Sequence, residues 1–288
     1  MDYRGQTGVS FGFPPLPRPV KQLIAANVAV YFLLLVISGL KPELASWLDL
    51  HLALIPVLVF SGPLHIGALW QLVSYGFLHA TLMHLLFNML GLWMFGGELA
   101  RLWGKRKFFE FYFFCLIGAA LTTVAAGWGG FCLHQVWPGA PLFTMIASSL
   151  VVPTVGASGG LYGLLIAFAV LYPDRQFFVF PLPFMIRART VVIGWLLIAA
   201  AGALGAGGAS GVANFAHLGG ALFGWLYLRL LPSRGIAGGG SEFYYGLRNR
   251  YYRWKRRRAA RKFEVYMRKQ NGPGGRPPAS GNGGKWIQ

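Results

Sequence analysis

Long apolar runs separated by shorter polar stretches are the main pattern along the first 231 residues. A helix needs roughly 20 residues to cross a hydrocarbon core of about 30 Å, and six runs approach or reach that length. The predicted spans are 22–40, 81–99, 108–128, 156–172, 190–207 and 213–231. The pattern therefore predicts an all-α, polytopic membrane protein built as a bundle of six transmembrane helices.

The segments outside these runs have a different composition. Residues 41–80 and 129–155 mix apolar residues with Trp and Pro, and we interpret both as structured loops. Residues 1–21 are polar and are predicted to form a cytoplasmic N-terminal segment. Residues 232–288 are strongly basic and are predicted to form a cytoplasmic tail that is partly disordered. The six-helix domain is thus predicted over residues 22–231.

Charge supports the membrane interpretation. Only 12% of the residues are charged, against about 25% in soluble domains. Under the six-span topology, 25 of the 26 Lys and Arg residues lie on one side, with Lys41 as the exception. Positive charge marks the cytoplasmic side, so both termini are predicted to be cytoplasmic. We expect a multi-pass protein of a bacterial inner membrane.

The net charge of +18 raises the question of nucleic-acid binding. Most of the excess positive charge lies in the tail that follows the last apolar run. A basic segment next to a membrane is attracted to anionic lipid. Anionic lipid at the tail is therefore the predicted partner, and no nucleic-acid partner is expected.

Polar side chains inside the predicted spans are the candidates for chemistry, because burying them in lipid is costly. In span two, His84 and Asn88 are four residues apart and share one helix face. Span four begins at the run Gly-Ala-Ser-Gly, which contains Ser158. Span six contains His217. These residues come from three different helices.

Their depth in the bilayer provides an independent test. Ser158 lies fifteen residues before Pro173, which closes span four, and His217 lies fifteen residues before Pro232, which closes span six. At 1.5 Å per residue, both lie roughly 22 Å above the cytoplasmic end of their helices. In a core of about 30 Å this leaves them about 8 Å below the outer surface. The two polar side chains of span two fall in the same layer.

Residues of these types at one depth predict acyl-transfer chemistry. A serine hydroxyl is a weak nucleophile and needs a base, which His217 can supply to Ser158 from a neighbouring helix. His84, the Asn88 amide and the Ser158 backbone N–H are suitable donors for an oxyanion. No carboxylate lies in this layer. Tyr162, one turn below Ser158, is predicted to orient the imidazole by stacking.

Glycines in spans four and six have a predicted packing role. Small residues four apart allow two membrane helices to approach closely, which a serine–histidine pair requires. The pairs are Gly159 with Gly163 and Gly220 with Gly224. The six His and two Cys are scattered without a metal-binding spacing, so no metal or cofactor is predicted.

Three motifs in this order resemble the rhomboid family of intramembrane proteases, over about residues 20–231. They are Gly-x-Ser-Gly, His-x-x-x-x-His-x-x-x-Asn in span two, and Ala-His-x-x-Gly-x-x-x-Gly in span six. The resemblance implies a six-helix bundle that cleaves transmembrane protein substrates near the outer face, with a membrane-embedded first loop. The roles it implies are nucleophile for Ser158, base for His217, oxyanion or supporting roles for His84, Asn88 and Gly156, and stacking on the base for Tyr162.

The chain departs from the family pattern at two positions. Many relatives carry Trp-Arg in the first loop, where this chain has Gln71 after Trp70. Ala100 occupies the position at the end of span two where an acid is usual, and Glu98 lies two residues earlier. Both departures bear on loop packing and stability. His79, just before span two, is interpreted as a loop or interface residue.

Two other classes of function remain open at this stage. One is a non-catalytic rhomboid-like scaffold that binds transmembrane clients, which would be expected to lack the serine or the histidine. The other is a transporter or channel, which would be expected to carry charged residues along its pathway. Spans two to six have no charged residue at the midplane, and Glu110 lies near a span end.

Overall fold

The structure is a computed structural model that describes residues 16–62, 65–178, 185–205 and 212–230, together with residues 255 and 258. The chain divides into two compact units, Met1–Gly235 and Ile236–Gln288. Every candidate site residue belongs to the first unit. The predicted N-terminal segment before residue 16 lies outside the described residues. So does the basic tail, apart from residues 255 and 258.

Helices make up most of the described chain, and all six predicted apolar segments are helical over most of their described length. A 3-10 turn (Tyr75–Phe77) precedes the helix Leu82–Gly91, and a π-helical turn (Leu92–Gly96) joins that helix to Gly97–Val136. The α-helices of the described residues are α1 (Arg18–Leu40), α2 (Pro42–Leu52), α3 (Pro56–Val59), α4 (Gln71–Ser74), α5 (Leu82–Gly91), α6 (Gly97–Val136), α7 (Pro141–Ser148), α8 (Ser158–Leu171), α9 (Ala188–Ala203) and α10 (Val212–Leu230).

Two short β ribbons correct the prediction of an all-α fold. β1 (Phe60–Gly62) pairs with β2 (His65–Ile66) in the loop that follows α3, and the pairing is antiparallel. β3 (Gln176–Phe178) pairs with β4 (Met185–Arg187) between α8 and α9, also antiparallel. Strands of two or three residues are too short to produce an alternating apolar pattern. The fold is therefore mostly helical.

α6 consists of two helical segments that meet at a kink, the first completing predicted span two and the second carrying predicted span three. Its only non-helical residue is Gly104, with φ 72° and ψ 174°, a conformation that glycine adopts at little cost. The helix then continues to Val136, beyond the predicted end of span three at residue 128. No proline interrupts this stretch before Pro138, so nothing in the sequence ends the helix earlier.

Helix length separates the predicted spans into two groups. Among the described residues, Arg18–Leu40 and the stretch Leu82–Val136 are long and apolar enough to cross a membrane. Ser158–Leu171 and Ala188–Ala203 are apolar but shorter. These two helices are shorter than predicted because turns take up the ends of their apolar runs. The count of six spans thus stays a prediction.

The helices pack around α6, which contacts α1, α7, α8 and α10. Its buried side chains include Phe108, Phe111, Tyr112 and Leu116, and they form the centre of the main apolar core. Many large apolar side chains instead lie exposed on the outer helices, as expected where lipid covers a helix. They include Phe32, Leu33 and Val36 on α1, Met83, Leu86 and Phe87 on α5, and Trp195, Leu197 and Ile198 on α9.

Gln71 holds the first loop together. Its side chain is only 1% exposed. Oε1 accepts the Ile55 N–H at 3.0 Å, and Nε2 donates to the carbonyls of Leu50 at 3.2 Å and His51 at 3.3 Å. Trp70 Nε1 donates to the same His51 carbonyl at 2.7 Å. A neutral amide therefore links the end of α2 to the start of α4 at the position where many relatives carry arginine.

Replacing Gln71 with leucine should destabilise this loop. The Ile55 N–H loses its acceptor while it stays buried, and an unsatisfied buried group costs about 1–3 kcal/mol. Thermal unfolding in detergent micelles should therefore show a lower midpoint for Gln71→Leu than for the unchanged protein. Gln135→Leu, at an exposed position of α6, is the control and should unfold as the unchanged protein does. Equal midpoints for the two variants would contradict the role of Gln71.

Glu98 forms ion pairs although Ala100 occupies the expected acidic position. Its Oε1 lies 3.1 Å from Arg101 Nη2 and 3.4 Å from Arg175 Nη2. The second pair links the start of α6 to the turn after α8. Both pairs are partly exposed, so each is worth about 0–1 kcal/mol. Ala100 itself is buried in the apolar core, where a carboxylate would be costly.

Candidate active site

Ser158 and His217 meet where α8 and α10 pack together. Ser158 is the first residue of α8, so its backbone N–H has no partner within the helix. His217 lies in the second turn of α10. Its Nε2 atom is 2.9 Å from the Ser158 hydroxyl oxygen, which is hydrogen-bond distance. The two side chains thus have the geometry of a nucleophile and a base.

The glycine pairs are the points of closest approach between these helices. A Cβ atom at Gly220 on α10 would overlap the backbone carbonyl of Gly159 on α8. A Cβ atom at Gly224 would lie 2.8 Å from the Gly163 Cα atom, and one at Gly163 would overlap the Cys115 side chain. At Gly220 and Gly224 the obstructing atoms are backbone atoms of α8, so no side chain fits at these two positions without moving a helix. The distance between Ser158 and His217 therefore depends on glycine at these positions.

Tyr162 provides a flat surface for the imidazole. The two rings are parallel, with 4.3 Å between the centroids of Tyr162 and His217 and an interplanar angle of 6°. Tyr162 lies one turn after Ser158 on α8, so the helix that carries the hydroxyl also carries the stacking ring. In the described part of the chain, no carboxylate hydrogen-bonds to His217. The stacked ring is the contact that fixes the plane of the imidazole.

His84 faces Ser158 across Gly156. Gly156 has φ 127°, and a Cβ atom there would lie 2.8 Å from the Nε2 atom of His84 and 3.6 Å from the Ser158 hydroxyl oxygen. The missing side chain therefore leaves a space bordered by both groups. A small oxygen in that space would be within hydrogen-bond distance of His84.

The backbone around His84 is fixed from two sides. Thr81 caps α5, since its hydroxyl oxygen accepts the His84 backbone N–H at 3.1 Å. Gly156 N–H donates to the Tyr75 carbonyl at 2.9 Å. The Asn88 amide is buried, and its Nδ2 atom donates to the His84 carbonyl at 2.9 Å. One Nδ2 hydrogen of Asn88 is thus used within α5, and the second is available for another acceptor.

Comparison with known proteins gives the family. A family model described as the rhomboid domain matches residues 66–234, which is more than half of the chain. The chain belongs to the rhomboid family. Rhomboids are membrane-embedded proteins, in agreement with the exposed apolar side chains of the outer helices.

Relatives of this rhomboid include named proteases. Rhomboid protease AarA of Providencia stuartii is 31% identical over 206 residues, which cover 71% of this chain and 69% of the relative. Rhomboid protein 1, mitochondrial, of Saccharomyces cerevisiae is 33% identical over 163 residues, or 54% of this chain. The match spans only 40% of the yeast protein's length. Rhomboid protease GlpG of Yersinia pestis is 34% identical over 61 residues, or 21% of this chain and 19% of the relative.

The rhomboid structure brings most of the predicted site residues together. His217 contacts both Ser158 and Tyr162, while His84 lies against Gly156. Asn88 is linked to the site through its hydrogen bond to the His84 carbonyl. Among the described residues, no hydrogen bond joins the Asn88 amide to Ser158. Gly220 and Gly224 of α10 lie against the backbone of Gly159 and Gly163 on α8, while the Cβ positions of Gly159 and Gly163 face side chains of α6 and Tyr75.

Two neighbours of the site had no predicted role in it, and one of them, His79, is buried, whereas the sequence suggested a loop or interface residue. Tyr75 holds Gly156 through its carbonyl, and its own hydroxyl donates to the Leu116 carbonyl at 2.7 Å. His79 is buried beside His84, with 5.0 Å between the ring centroids. A threonine just before an apolar run is a sequence signal for a helix N-cap, and Thr81 stands in that position before α5. His79 is the first histidine of the His-x-x-x-x-His-x-x-x-Asn run, whereas nothing local in the sequence marks Tyr75.

Gly220→Ala should separate the two helices that carry this site in the rhomboid. The new methyl group meets the Gly159 carbonyl, and overpacking of this kind costs about 1–3 kcal/mol. We expect a lower midpoint of thermal unfolding in detergent. Gly194→Ala is the matched control, because nothing lies within 4 Å of its Cβ position on α9. Alanine favours a helix by up to about 1 kcal/mol over glycine, so the control should be unchanged or more stable. Equal effects at the two positions would refute the close contact.

Proposed function

We propose that this protein is an intramembrane serine endopeptidase that cleaves transmembrane protein substrates near the outer membrane face. The observation that carries the proposal is the 2.9 Å contact between His217 Nε2 and the Ser158 hydroxyl, on helices packed through glycine. A serine beside a base that a third group orients is the arrangement needed for nucleophilic catalysis. The proteases named among the relatives support the same class of reaction.

The first half of the reaction forms an acyl-enzyme. The Ser158 oxygen attacks the scissile carbonyl carbon while His217 Nε2 takes the hydroxyl proton. The carbonyl oxygen becomes an oxyanion, for which the Ser158 N–H and His84 are the proposed donors, with the Asn88 amide as a further donor. When the tetrahedral intermediate collapses, the C–N bond breaks and His217 gives its proton to the leaving amine.

The second half releases the new carboxyl end. His217 takes a proton from water as the water oxygen attacks the acyl carbon, and the proton then passes to the Ser158 oxygen as the ester bond breaks. Tyr162 takes the place of a carboxylate in this scheme. It holds the imidazole plane through stacking at 4.3 Å but supplies no negative charge to stabilise the imidazolium. No metal or cofactor takes part in the proposed reaction.

The proposed membrane arrangement is six spans with both termini in the cytoplasm. It is supported by six helical apolar segments and by the position of 25 of 26 basic residues on one side of that topology. The site then lies about 8 Å below the outer surface. Water would reach it from that surface, and substrate would enter from the lipid. A bacterial inner membrane is the proposed location, with anionic lipid contacting the basic tail.

Reconstitution tests this function directly. Purified protein in phosphatidylethanolamine and phosphatidylglycerol vesicles is mixed with a reporter that has one transmembrane segment and an outward-facing tag. We expect release of the tag, with cleavage near the outer end of the segment and inhibition by a fluorophosphonate. Stable binding of the reporter without cleavage would overturn the protease proposal in favour of a scaffold. Ion or solute flux without cleavage would overturn it in favour of a transporter.

A further inference from the structure

His79 is a buried polar residue for which the proposed reaction gives no role. It lies between the 3-10 turn Tyr75–Phe77 and Thr81, the residue that caps α5. Its side chain is 9% exposed, and neither ring nitrogen has a hydrogen-bond partner among the described residues. Burying a polar group without a partner costs about 1–3 kcal/mol. The contacts of its ring, rather than its hydrogen bonding, therefore give the evidence for its role.

The ring of His79 contacts the oxyanion side of the site. Its ring meets the His84 ring edge-on, with 5.0 Å between centroids and an interplanar angle of 67°. Gly156 also contacts this ring, since a Cβ atom at Gly156 would lie 2.8 Å from His84 Nε2. His84 therefore has both His79 and Gly156 as neighbours. Its backbone is held by Thr81 at 3.1 Å.

We propose that His79 is a positioning residue, which holds the His84 imidazole in the orientation that the oxyanion requires. The proposal rests on the proposed protease function. A hydrogen bond to a developing oxyanion is effective only when the donor is already in place, because reorientation during the reaction reduces the gain. The His84 ring turns about its own side-chain bonds unless a neighbour blocks it. His79 is the ring that blocks this rotation.

The electrostatics of the pair suit this role. Burial, and then the neighbouring His84 ring, lower the pKa of His79 to about 4, and the nearby Phe77 backbone opposes this shift only in part. His79 is therefore neutral at pH 7. Two charged imidazoles at this distance would repel each other, whereas a neutral His79 packs against His84 without that repulsion. The ring contact is then compatible with either charge state of His84.

A double-mutant cycle separates positioning from general stability. In the vesicle assay described above, we compare His79→Ala, His84→Ala and the double variant. If His79 acts through His84, His79→Ala should lower kcat about 10-fold or more while KM changes less than about two-fold. Adding His79→Ala to His84→Ala should then cause no further loss. His79→Phe, which keeps a ring in contact with His84, should recover most of the lost kcat.

Other outcomes would overturn the proposal. If His79→Ala lowers kcat by the same factor with and without His84, the two residues act independently and His79 is only structural. Full activity of His79→Ala would also overturn the proposal, because it would show that His84 works without His79. His51→Ala is the matched control, since His51 also makes an aromatic contact, with Trp47 at 3.9 Å, on the exposed helix α2. An unchanged protein that does not cleave the reporter would instead refute the proposed function, and this inference with it.

Discussion

Ser158→Ala and His217→Ala should each reduce cleavage of a membrane-anchored reporter by about 10⁴-fold or more, and the double variant should be no worse than either single one. The physical reason is the single hydrogen bond of 2.9 Å that joins the two side chains. Without the imidazole the hydroxyl keeps its proton, and without the hydroxyl the imidazole has no nucleophile to activate. Removing one group therefore removes the function of both.

The measurement is the initial rate of tag release in vesicles, at equal amounts of folded protein. Ser148→Ala and His51→Ala are the matched controls, because both residues are exposed and each interacts with a nearby backbone carbonyl. The controls should cleave at the unchanged rate. A double variant that is much slower than either single variant would show that Ser158 and His217 contribute separately. That result would contradict the proposed pair.

Gly156→Ala should lower the cleavage rate by about 10²-fold to 10³-fold, as the loss of one oxyanion donor does. Its methyl group would lie 2.8 Å from His84 Nε2, in the space proposed for the oxyanion. The substitution thus displaces the His84 ring, blocks the oxyanion, or does both. In addition, φ of 127° is a conformation that L-residues with side chains rarely adopt.

Backbone strain and blocking of the site can be separated by a second glycine. Gly104 also has a positive φ, of 72°, but nothing lies within 4 Å of its Cβ position. Gly104→Ala therefore introduces strain, which costs about 1–3 kcal/mol, without touching the site. We expect its midpoint of thermal unfolding to fall while its kcat stays near the unchanged value. If Gly104→Ala and Gly156→Ala lose kcat equally, the space beside His84 has no part in the reaction.

The helical architecture could be predicted from sequence because its signals are local. Apolar runs predicted the positions of the apolar helices, although the helix of span three runs on to Val136, and the cost of polar groups in lipid identified Ser158 and His217 as residues to examine. Depth arithmetic then placed them in one layer. The same reasoning gave the glycine pairs, since small residues four apart lie on one face of a helix. The four-residue spacing of these glycines then predicts a close contact between the two helices that carry them.

Other features depend on contacts between distant segments. The role of Gln71 follows from three backbone groups that lie 16 to 21 residues earlier in the chain. The sequence shows only that arginine is replaced. In the same way, nothing near His79 indicates that its ring meets His84, since the contact depends on the turn between Tyr75 and Thr81. The two β ribbons are set by pairing of segments too short to carry a pattern of their own.

Labelling with a fluorophosphonate probe, followed by mass spectrometry of the modified peptide, tests the central claim most directly. The reagent forms a covalent bond with a serine oxygen only where a base activates the hydroxyl. We predict one adduct, at Ser158, in the unchanged protein. It should be absent from Ser158→Ala and strongly reduced in His217→Ala. Labelling of Ser158 at the same rate in the unchanged protein and in His217→Ala, or no labelling of Ser158 at all, would contradict an activated serine at the junction of α8 and α10.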